Sequence, residues 1–291
     1  MSPEPDVYWL RPMVCTAVGL VGNILLAAAK IGVGVVARSS ALVADGFHSL
    51  ADVASDIGIV FALKASARPP DANHPYGHHG FETLGAVGVA LFMLITGFLI
   101  GKDAVTRLVT HRFLAPENAA LVMSLTAVLV KEAMARYTLV AGRRHNSPAL
   151  LSNGAMHRSD AISSLAAAGA VAGARLGWPA LDSVGALLIA MFILRMGWQL
   201  GREHVMVLMD TMPDRDLVRR MSASAAAVPG ARAVRDLTAR QRGSKYVVDL
   251  RLAVDPELTV GRAHAIAHDV EARIMEDFRD VTRVFVHVEP E

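Results

Sequence analysis

The sequence lacks several features that would point to other classes of protein. It has a single cysteine, Cys15, which excludes an intramolecular disulfide framework. The formal net charge is only +2, which gives no argument for nucleic-acid binding. HExxH and GxSxG motifs are absent, so nothing supports a metallopeptidase or a serine hydrolase. Residues 1–11 are acidic and contain proline where a signal peptide has a basic segment, and we expect no cleavable signal.

Long apolar stretches dominate the first 208 residues. The chain is 53% hydrophobic with a mean hydropathy of +0.38, and charged residues return at ordinary density after Asp210. A membrane-spanning helix needs about 20 mostly apolar residues. Six segments have that length: residues 12–37, 41–64, 82–106, 117–139, 149–174 and 181–203. The sequence therefore predicts an integral, multi-pass α-helical membrane bundle of six spans over residues 1–208.

The basic residues of the predicted loops indicate how the spans are oriented. An even number of spans places both termini on the same side of the membrane. If that side is the cytoplasm, the cytoplasmic loops hold Arg68, Arg143 and Arg144, and Lys64 and Arg136 flank them. Basic residues are enriched in cytoplasmic loops, so we expect both termini in the cytoplasm, with the protein in a bacterial inner membrane.

Residues 209–291 have the pattern of a separate small domain. Helical periodicity covers residues 213–228 and 259–278, and strand-like sequences cover residues 233–240, 245–254 and 281–288. The order α-β-β-α-β indicates one sheet with helices on one face. A domain of about 80 residues is close to the smallest size that holds a hydrophobic core alone, which favours dimerisation. We therefore predict a cytoplasmic α+β domain that forms a homodimer.

Two of the predicted spans carry ionisable side chains, which are rare and usually functional inside a membrane. In the second span, Asp45, His48 and Asp52 share one helix face. In the fifth span, one face carries Asn153, Met156, His157 and Asp160. Asp52 and Asp160 lie near the middle of their spans, so the two carboxylates are expected to meet at the membrane centre. Carboxylates and imidazoles bind zinc, and also iron, manganese and cobalt, so the pattern predicts a divalent-metal site. Polar bonds between helices are the alternative explanation.

Three motifs together resemble the cation diffusion facilitators, a family of divalent-metal transporters, over nearly the whole chain. They are ALVADGFHSLADVASD in the second span, SNGAMHRSDAISS in the fifth span and DANHPYGHHGFE at residues 71–82. The resemblance implies that His48 and Asp52 are the two metal ligands of the family's HxxxD motif. It further implies six spans, a cytoplasmic ferredoxin-like domain, a homodimer, and export of a divalent metal in exchange for protons.

One position of the fifth-span motif departs from the family pattern. The family usually has His or Asp four residues before the final Asp, and this chain has Met156 there. His157 can turn into the site, Asn153 can supply an amide oxygen, or Met156 can itself bind a softer metal. A site with three protein ligands and a water is a fourth account. We expect the second-span pair and Asp160 as fixed ligands, completed by His157 or Asn153. Zinc is the leading metal, and iron, manganese and cobalt are the alternatives.

The resemblance also implies two further groups of metal ligands. The loop after the second span offers Asp71, His74 and His78, and the alternative there is an ordinary exposed polar loop. The cytoplasmic domain offers a regulatory site made of Asp249, His264, His287 and Glu289. His268, one helical turn after His264, is either a further ligand or a solvated helix residue.

The predicted chemistry separates a transporter from two other classes of protein. Metal binding requires deprotonated ligands, so a loaded site releases protons and an unloaded site takes them up. We therefore expect a metal/proton antiporter, with the metal as substrate and regulator and with no enzymatic activity. The alternative function is a metal-sensing membrane scaffold with weak transport. A membrane metallohydrolase lacks support because no HExxH motif is present.

Overall fold

The structure, a computed structural model of the chain, describes residues 12–66, 68–145 and 147–291. The segment for which we expected no cleavable signal, residues 1–11, lies outside the described residues. Of the described residues, 12–58 and 88–199 form one compact unit, and 59–66, 68–87 and 200–291 form a second. The predicted division of the chain at residue 208 stays a prediction.

Six long helices occupy the positions of the six predicted segments. They are α1 (Pro12–Val36), α2 (Ser40–Ser66), α3 (Gly80–Val109), α4 (Asn118–Arg144), α5 (Pro148–Arg175) and α6 (Ala180–Leu208). Their lengths run from 25 to 30 residues. At about 1.5 Å per residue each helix is longer than the ~30 Å hydrocarbon core of a membrane.

Only four helices in the described part of the chain are apolar enough to qualify as spans by composition. These are α3, α4, α6 and residues 13–36 of α1. The two exceptions, α2 and α5, are the helices with the predicted metal ligands. The described residues therefore contain six long helices at the predicted positions, and hydropathy supports four of them as membrane spans.

Close helix approach in the first unit depends on small residues. A Cβ atom at Gly46 of α2 would lie 2.9 Å from the backbone nitrogen of Ile31 on α1, and one at Gly154 of α5 would lie 2.7 Å from Leu139 Cγ on α4. Such distances leave no room for a larger side chain. Small residues at these crossings bring α2 against α1 and α5 against α4. Side chains of α1 and α4 can therefore reach the polar faces of α2 and α5.

The second unit contains the predicted α-β-β-α-β arrangement. Its elements are α7 (Arg215–Ala226), β1 (Ala233–Arg242), β2 (Lys245–Val254), α8 (Val260–Asp277) and β3 (Val281–Pro290). The sheet order is β1-β2-β3, with β1 and β2 antiparallel and β2 and β3 parallel. Helix α7 begins two residues later than predicted because the Asp214 side chain accepts from the Asp216 backbone N–H and caps the helix there.

The core of the C-terminal elements lies between the sheet and the two helices. Val248, Leu250 and Leu252 of β2 are buried against residues of α7 and α8 such as Met221 and Ile274. Because side chains alternate along a strand, the odd-numbered residues of β2 lie on the opposite face of the sheet. The two helices therefore cover one face, and the opposite face includes the exposed Arg251.

Candidate metal centres

The structure brings together three of the side chains predicted for the transport site. His48 and Asp52 lie one turn apart on α2, and Asp160 lies on α5. Each offers one ligand atom, and the three atoms lie within 4.8 Å of one another. His48 Nε2 is 3.9 Å from Asp160 Oδ1. Two ligands of one zinc ion are at most about 4.2 Å apart, since each bond is about 2.1 Å long. The cluster therefore needs only small side-chain movements to hold one ion.

The cluster is shielded and has unused ligand atoms. His48 is 3% exposed and Asp160 is 14% exposed. Among the described residues, His48 Nδ1 and Asp52 Oδ2 have no hydrogen-bond partner. The edge of the His48 ring packs against Phe192, with 5.5 Å between ring centroids. Buried polar atoms usually have partners, so unpartnered ones at a cluster of ligands fit a site built for an ion.

Lys131 of α4 is ion-paired with one carboxylate oxygen of the cluster. Its side chain is fully buried, and Nζ lies 2.7 Å from Asp160 Oδ2. The same ammonium donates to Asn23 Oδ1 of α1 at 2.9 Å. Asp160 thus has one oxygen near His48 and the other bound to a lysine. Sequence reasoning missed this lysine.

Asp45, which lies on the same predicted helix face as His48, does not join the cluster. Its Oδ2 lies 2.7 Å from Nζ of Lys30 on α1, and both side chains are almost fully buried. Lys30 also donates to Ser49 Oγ at 3.1 Å and to Ser164 Oγ at 2.8 Å. Lys30 thus makes one ion pair and two hydrogen bonds. Lys30 draws Asp45 into an ion pair that joins α1, α2 and α5.

The structure distinguishes the three residues that compete to complete the site. His157 is 3% exposed, its Nδ1 lies 4.0 Å from Asp160 Oδ2, and neither ring nitrogen has a hydrogen-bond partner among the described residues. Gly19 leaves room for the ring, because a Cβ atom there would lie 3.4 Å from His157 Nε2. Met156 is 55% exposed, and Asn153 is partly buried. Of the three, His157 is the fully buried side chain, and it lies beside a carboxylate of the cluster.

The loop ligands form the second cluster. Asp71, His74 and His78 each offer one ligand atom within 4.8 Å of the others. Asp71 Oδ1 is 3.1 Å from His74 Nδ1, and Asp71 Oδ2 is 3.2 Å from His78 Nε2. The backbone N–H of His74 donates to the Asp71 carboxylate and holds its pKa below the ordinary value, with help from the His74 ring and the Asn73 N–H. The loop thus keeps a negative charge beside two imidazoles.

The hydrogen bonding of His78 points one of its ring nitrogens at Asp71. Its Nδ1 lies 3.1 Å from the carbonyl oxygen of Pro69, so Nδ1 must carry the proton. In neutral imidazole the lone pair on Nε2 then faces Asp71 Oδ2, and two acceptors oppose each other. A proton or a metal ion between them removes the repulsion. This arrangement fits a metal ligand better than an ordinary surface histidine.

The same loop is fixed to the turn between β1 and β2 within the second unit. The Tyr76 ring lies under two guanidinium groups, with 5.8 Å from its centroid to Arg242 Cζ and 5.2 Å to Arg283 Cζ. Glu82, at the start of α3, accepts from the Ser244 backbone N–H at 3.0 Å. These contacts order the loop that contains the three ligands.

The four residues predicted for the cytoplasmic site do not form a cluster. Among the described residues, no group of three ligand atoms includes any of them. Asp249 and His287 lie on the sheet face away from α8, because their neighbours in sequence are buried on the helix side. His264 and Glu289 line a cavity of about 420 Å³ at the end of the sheet, where Glu289 is ion-paired with Arg235 at 3.0 Å. His264 Nε2 instead lies 3.1 Å from Nε2 of His268.

Comparison with known proteins identifies the family. The Cation efflux transmembrane domain matches residues 16–209, and the Cation efflux protein, cytoplasmic domain, matches residues 213–291. The chain belongs to the cation efflux, or cation diffusion facilitator, family. The predicted membership is confirmed, and the family is one of membrane transporters with a small cytoplasmic domain.

Relatives that cover most of this cation efflux protein come from several organisms. Manganese efflux system protein MneP of Bacillus subtilis is 31% identical over 280 residues, which are 94% of each chain. Magnetosome protein MamB of Paramagnetospirillum magneticum is 32% identical over 260 residues, which are 88% of each chain. A variant of the MamM CTD in its cadmium form is 32% identical, covers 26% of this chain and 96% of that one, and has a TM-score of 0.26.

Three charged residues of the bundle escaped the sequence analysis. Lys30 is the one charged residue of α1 and Lys131 lies in the predicted fourth span, and the argument that singled out Asp52 applies to both. Asp182 of α6 is 3% exposed and accepts from the Ser39 hydroxyl at 2.6 Å. Each lies in a predicted span, and a charged residue in a span was the feature by which the sequence could have identified it.

Proposed function

We propose that this protein exports divalent transition-metal ions across a membrane in exchange for protons, with His48, Asp52 and Asp160 as the transport site. The observation that carries the proposal is the approach of these three ligands from two helices to within 4.8 Å. Two carboxylates in a shielded site cost free energy unless a cation neutralises them. A transported cation would neutralise them.

The proposed bundle uses all six helices as spans, with both termini in the cytoplasm. The aspartates of α2 and α5 are compatible with this, because two of them are ion-paired inside the bundle. Asp45 is paired with Lys30, and Asp160 is paired with Lys131. Polar side chains that face the interior of a bundle are compatible with a membrane-spanning helix.

The donor atoms narrow the proposed metal to the harder transition ions. One imidazole nitrogen and two carboxylates suit zinc, manganese, iron and cobalt, and no cysteine belongs to the cluster. Met156 is mostly exposed, which weakens the case for a thioether ligand. Manganese is the first ion to test, because MneP, whose name assigns it to manganese efflux, aligns over 94% of the chain.

Proton exchange follows from the same ligands. A metal ion can bind carboxylates and imidazoles only in their deprotonated forms, so binding releases protons and release of the metal allows protonation. His48 supplies an imidazole, whose ring nitrogen can hold either a proton or a metal ion. Alternate exposure of the site to the two sides of the membrane would convert this competition into antiport.

The proposal assigns supporting roles to the other two groups. The loop cluster of Asp71, His74 and His78 is a second metal site at the cytoplasmic surface. The C-terminal domain forms the homodimer and responds to metal, and its His264 and His287 act separately because they lie on different faces of the sheet. A second protomer would have to supply any further ligand to either of them.

Transport by purified protein in proteoliposomes tests the proposal. Metal uptake and the accompanying proton flux are followed with Mn²⁺, Zn²⁺, Fe²⁺ and Co²⁺ supplied in turn. We expect Asp52→Ala and Asp160→Ala to abolish both fluxes. Asp56→Ala is the matched control, because Asp56 lies one turn further along α2, is exposed and is not part of the cluster. Normal flux in the first two variants would refute the site, and metal binding without flux in the unmodified protein would favour a membrane scaffold.

A further inference from the structure

Two buried lysines of the bundle differ in the carboxylate that each one holds. Lys30 and Lys131 are both fully buried, and each lies 2.7 Å from one aspartate oxygen. Lys30 is ion-paired with Asp45, which is not a member of the metal cluster, and also donates to two hydroxyl groups. Lys131 binds Asp160, which is a member. The first pair connects helices, whereas the second places a cation at the proposed transport site.

The position of Lys131 sets the charge of that site. Asp52 and Asp160 together contribute two negative charges, and the ammonium neutralises one of them. A divalent ion that uses Asp160 comes within a few ångströms of a positive charge, and the repulsion is strong where water is scarce. An ion that uses both oxygens of Asp160 must displace the ammonium from Oδ2. Asn23 Oδ1, at 2.9 Å, offers the lysine a second partner.

We propose that Lys131 is a tethered counter-cation that competes with the transported metal for Asp160. When the metal leaves, the ammonium returns to the carboxylate and stabilises the unloaded site. When the metal binds, the ammonium moves towards Asn23 and the repulsion that remains weakens binding. Lys131 thus lowers the affinity of the site so that the ion can be released. The inference rests on the proposed transport site and assigns Lys131 a positioning and affinity-setting role without making it a ligand.

A purely structural role predicts the opposite effect on affinity. If Lys131 only held α4 to α5, its removal would disorder Asp160 and weaken metal binding. If it competes with the metal, its removal strengthens binding even though a hydrogen bond is lost. The direction of the change in Kd therefore separates the two roles.

The experiment measures Mn²⁺ and Zn²⁺ binding by calorimetry on the full-length protein in detergent. A His74→Ala/His78→Ala background removes the loop cluster, and Asp160→Ala in that background identifies the heat that belongs to the transport site. Lys131→Met and Lys131→Gln remove the charge, and the glutamine keeps a donor for Asp160 if the methionine variant does not fold. Lys131→Arg keeps the charge. Lys30→Met/Asp45→Leu removes the other buried pair as a matched control.

We expect both neutral variants to lower the Kd of the transport site by at least about tenfold, which corresponds to 1.4 kcal/mol. Their transport turnover should fall, because a tightly bound ion leaves slowly. Lys131→Arg and the Lys30→Met/Asp45→Leu control should stay within about threefold of the parent Kd. An unchanged or raised Kd in both neutral variants, with binding still lost in Asp160→Ala, would overturn the role of Lys131 alone. Full binding in Asp160→Ala would overturn the transport site and this inference with it.

Discussion

The buried pair of Lys30 and Asp45 should make a large and measurable contribution to the stability of the bundle. Lys30→Met leaves the Asp45 carboxylate, which is 1% exposed, without the cation that lies 2.7 Å away. It also leaves the hydroxyls of Ser49 and Ser164 without their donor. Removing one partner of a buried ion pair costs about 3–5 kcal/mol. For a domain of a few hundred residues this lowers the melting temperature by on the order of 10 °C.

A double variant separates the destabilisation caused by an unpaired buried charge from the net contribution of the ion pair to stability. Lys30→Met/Asp45→Leu removes both charges together and should recover most of the lost stability, since apolar replacements of buried ion pairs are often neutral. Thermal unfolding of the purified protein in one detergent, followed by tryptophan fluorescence, provides the measurement. A melting temperature within about 1 °C of the parent for Lys30→Met would refute the reasoning, because that is less than 1 kcal/mol of destabilisation.

Three further predictions concern the fifth span, the loop and the C-terminal domain. His157→Ala should reduce transport more than Met156→Ala in the proteoliposome assay, because His157 is buried near Asp160 whereas Met156 is 55% exposed; the reverse order would make Met156 the ligand. Tyr76→Ala should increase amide hydrogen exchange in residues 68–79 several-fold, and unchanged exchange would mean that the two arginine contacts do not order the loop. The Ser224 hydroxyl keeps the pKa of Asp277 below its ordinary value, so stability is gained above the ordinary carboxyl pKa and lost as the pH falls through the lower folded value. Asp277→Asn should flatten this acid-side loss in thermal melts between pH 3 and pH 7, and an identical pH profile would contradict the role of the contact.

The positions of the helices and strands could be predicted because they depend on local patterns. Apolar segments of about 20 residues located all six helices of the bundle. Alternation and punctuation located the strands, and β2 spans the residues 245–254 that were expected for it. The exact ends of helices were harder to predict from the sequence. The start of α7, for example, depends on the geometry of one side chain, Asp214.

The members of the transport site could be predicted in part. The spacing of His48 and Asp52 on one helix face is a local property, and the central depth of Asp160 followed from the antiparallel order of the spans. The ion-pair partners of these residues could not be predicted from the sequence in the same way. Asp45 satisfied the same spacing but binds Lys30, and Lys131 binds Asp160 from a third helix. Which lysine reaches which carboxylate is decided by the packing of small residues at helix crossings.

Locating the bound ion tests the central claim most directly. Crystals of the protein grown with Mn²⁺ or Zn²⁺ are measured at the absorption edge of the metal, and anomalous difference density gives the ion position. We expect a peak bounded by His48, Asp52 and Asp160, with ligand distances of about 2.0–2.2 Å for zinc. The account would be contradicted if, at saturating metal, density appeared at the loop cluster but not between the ligands of α2 and α5.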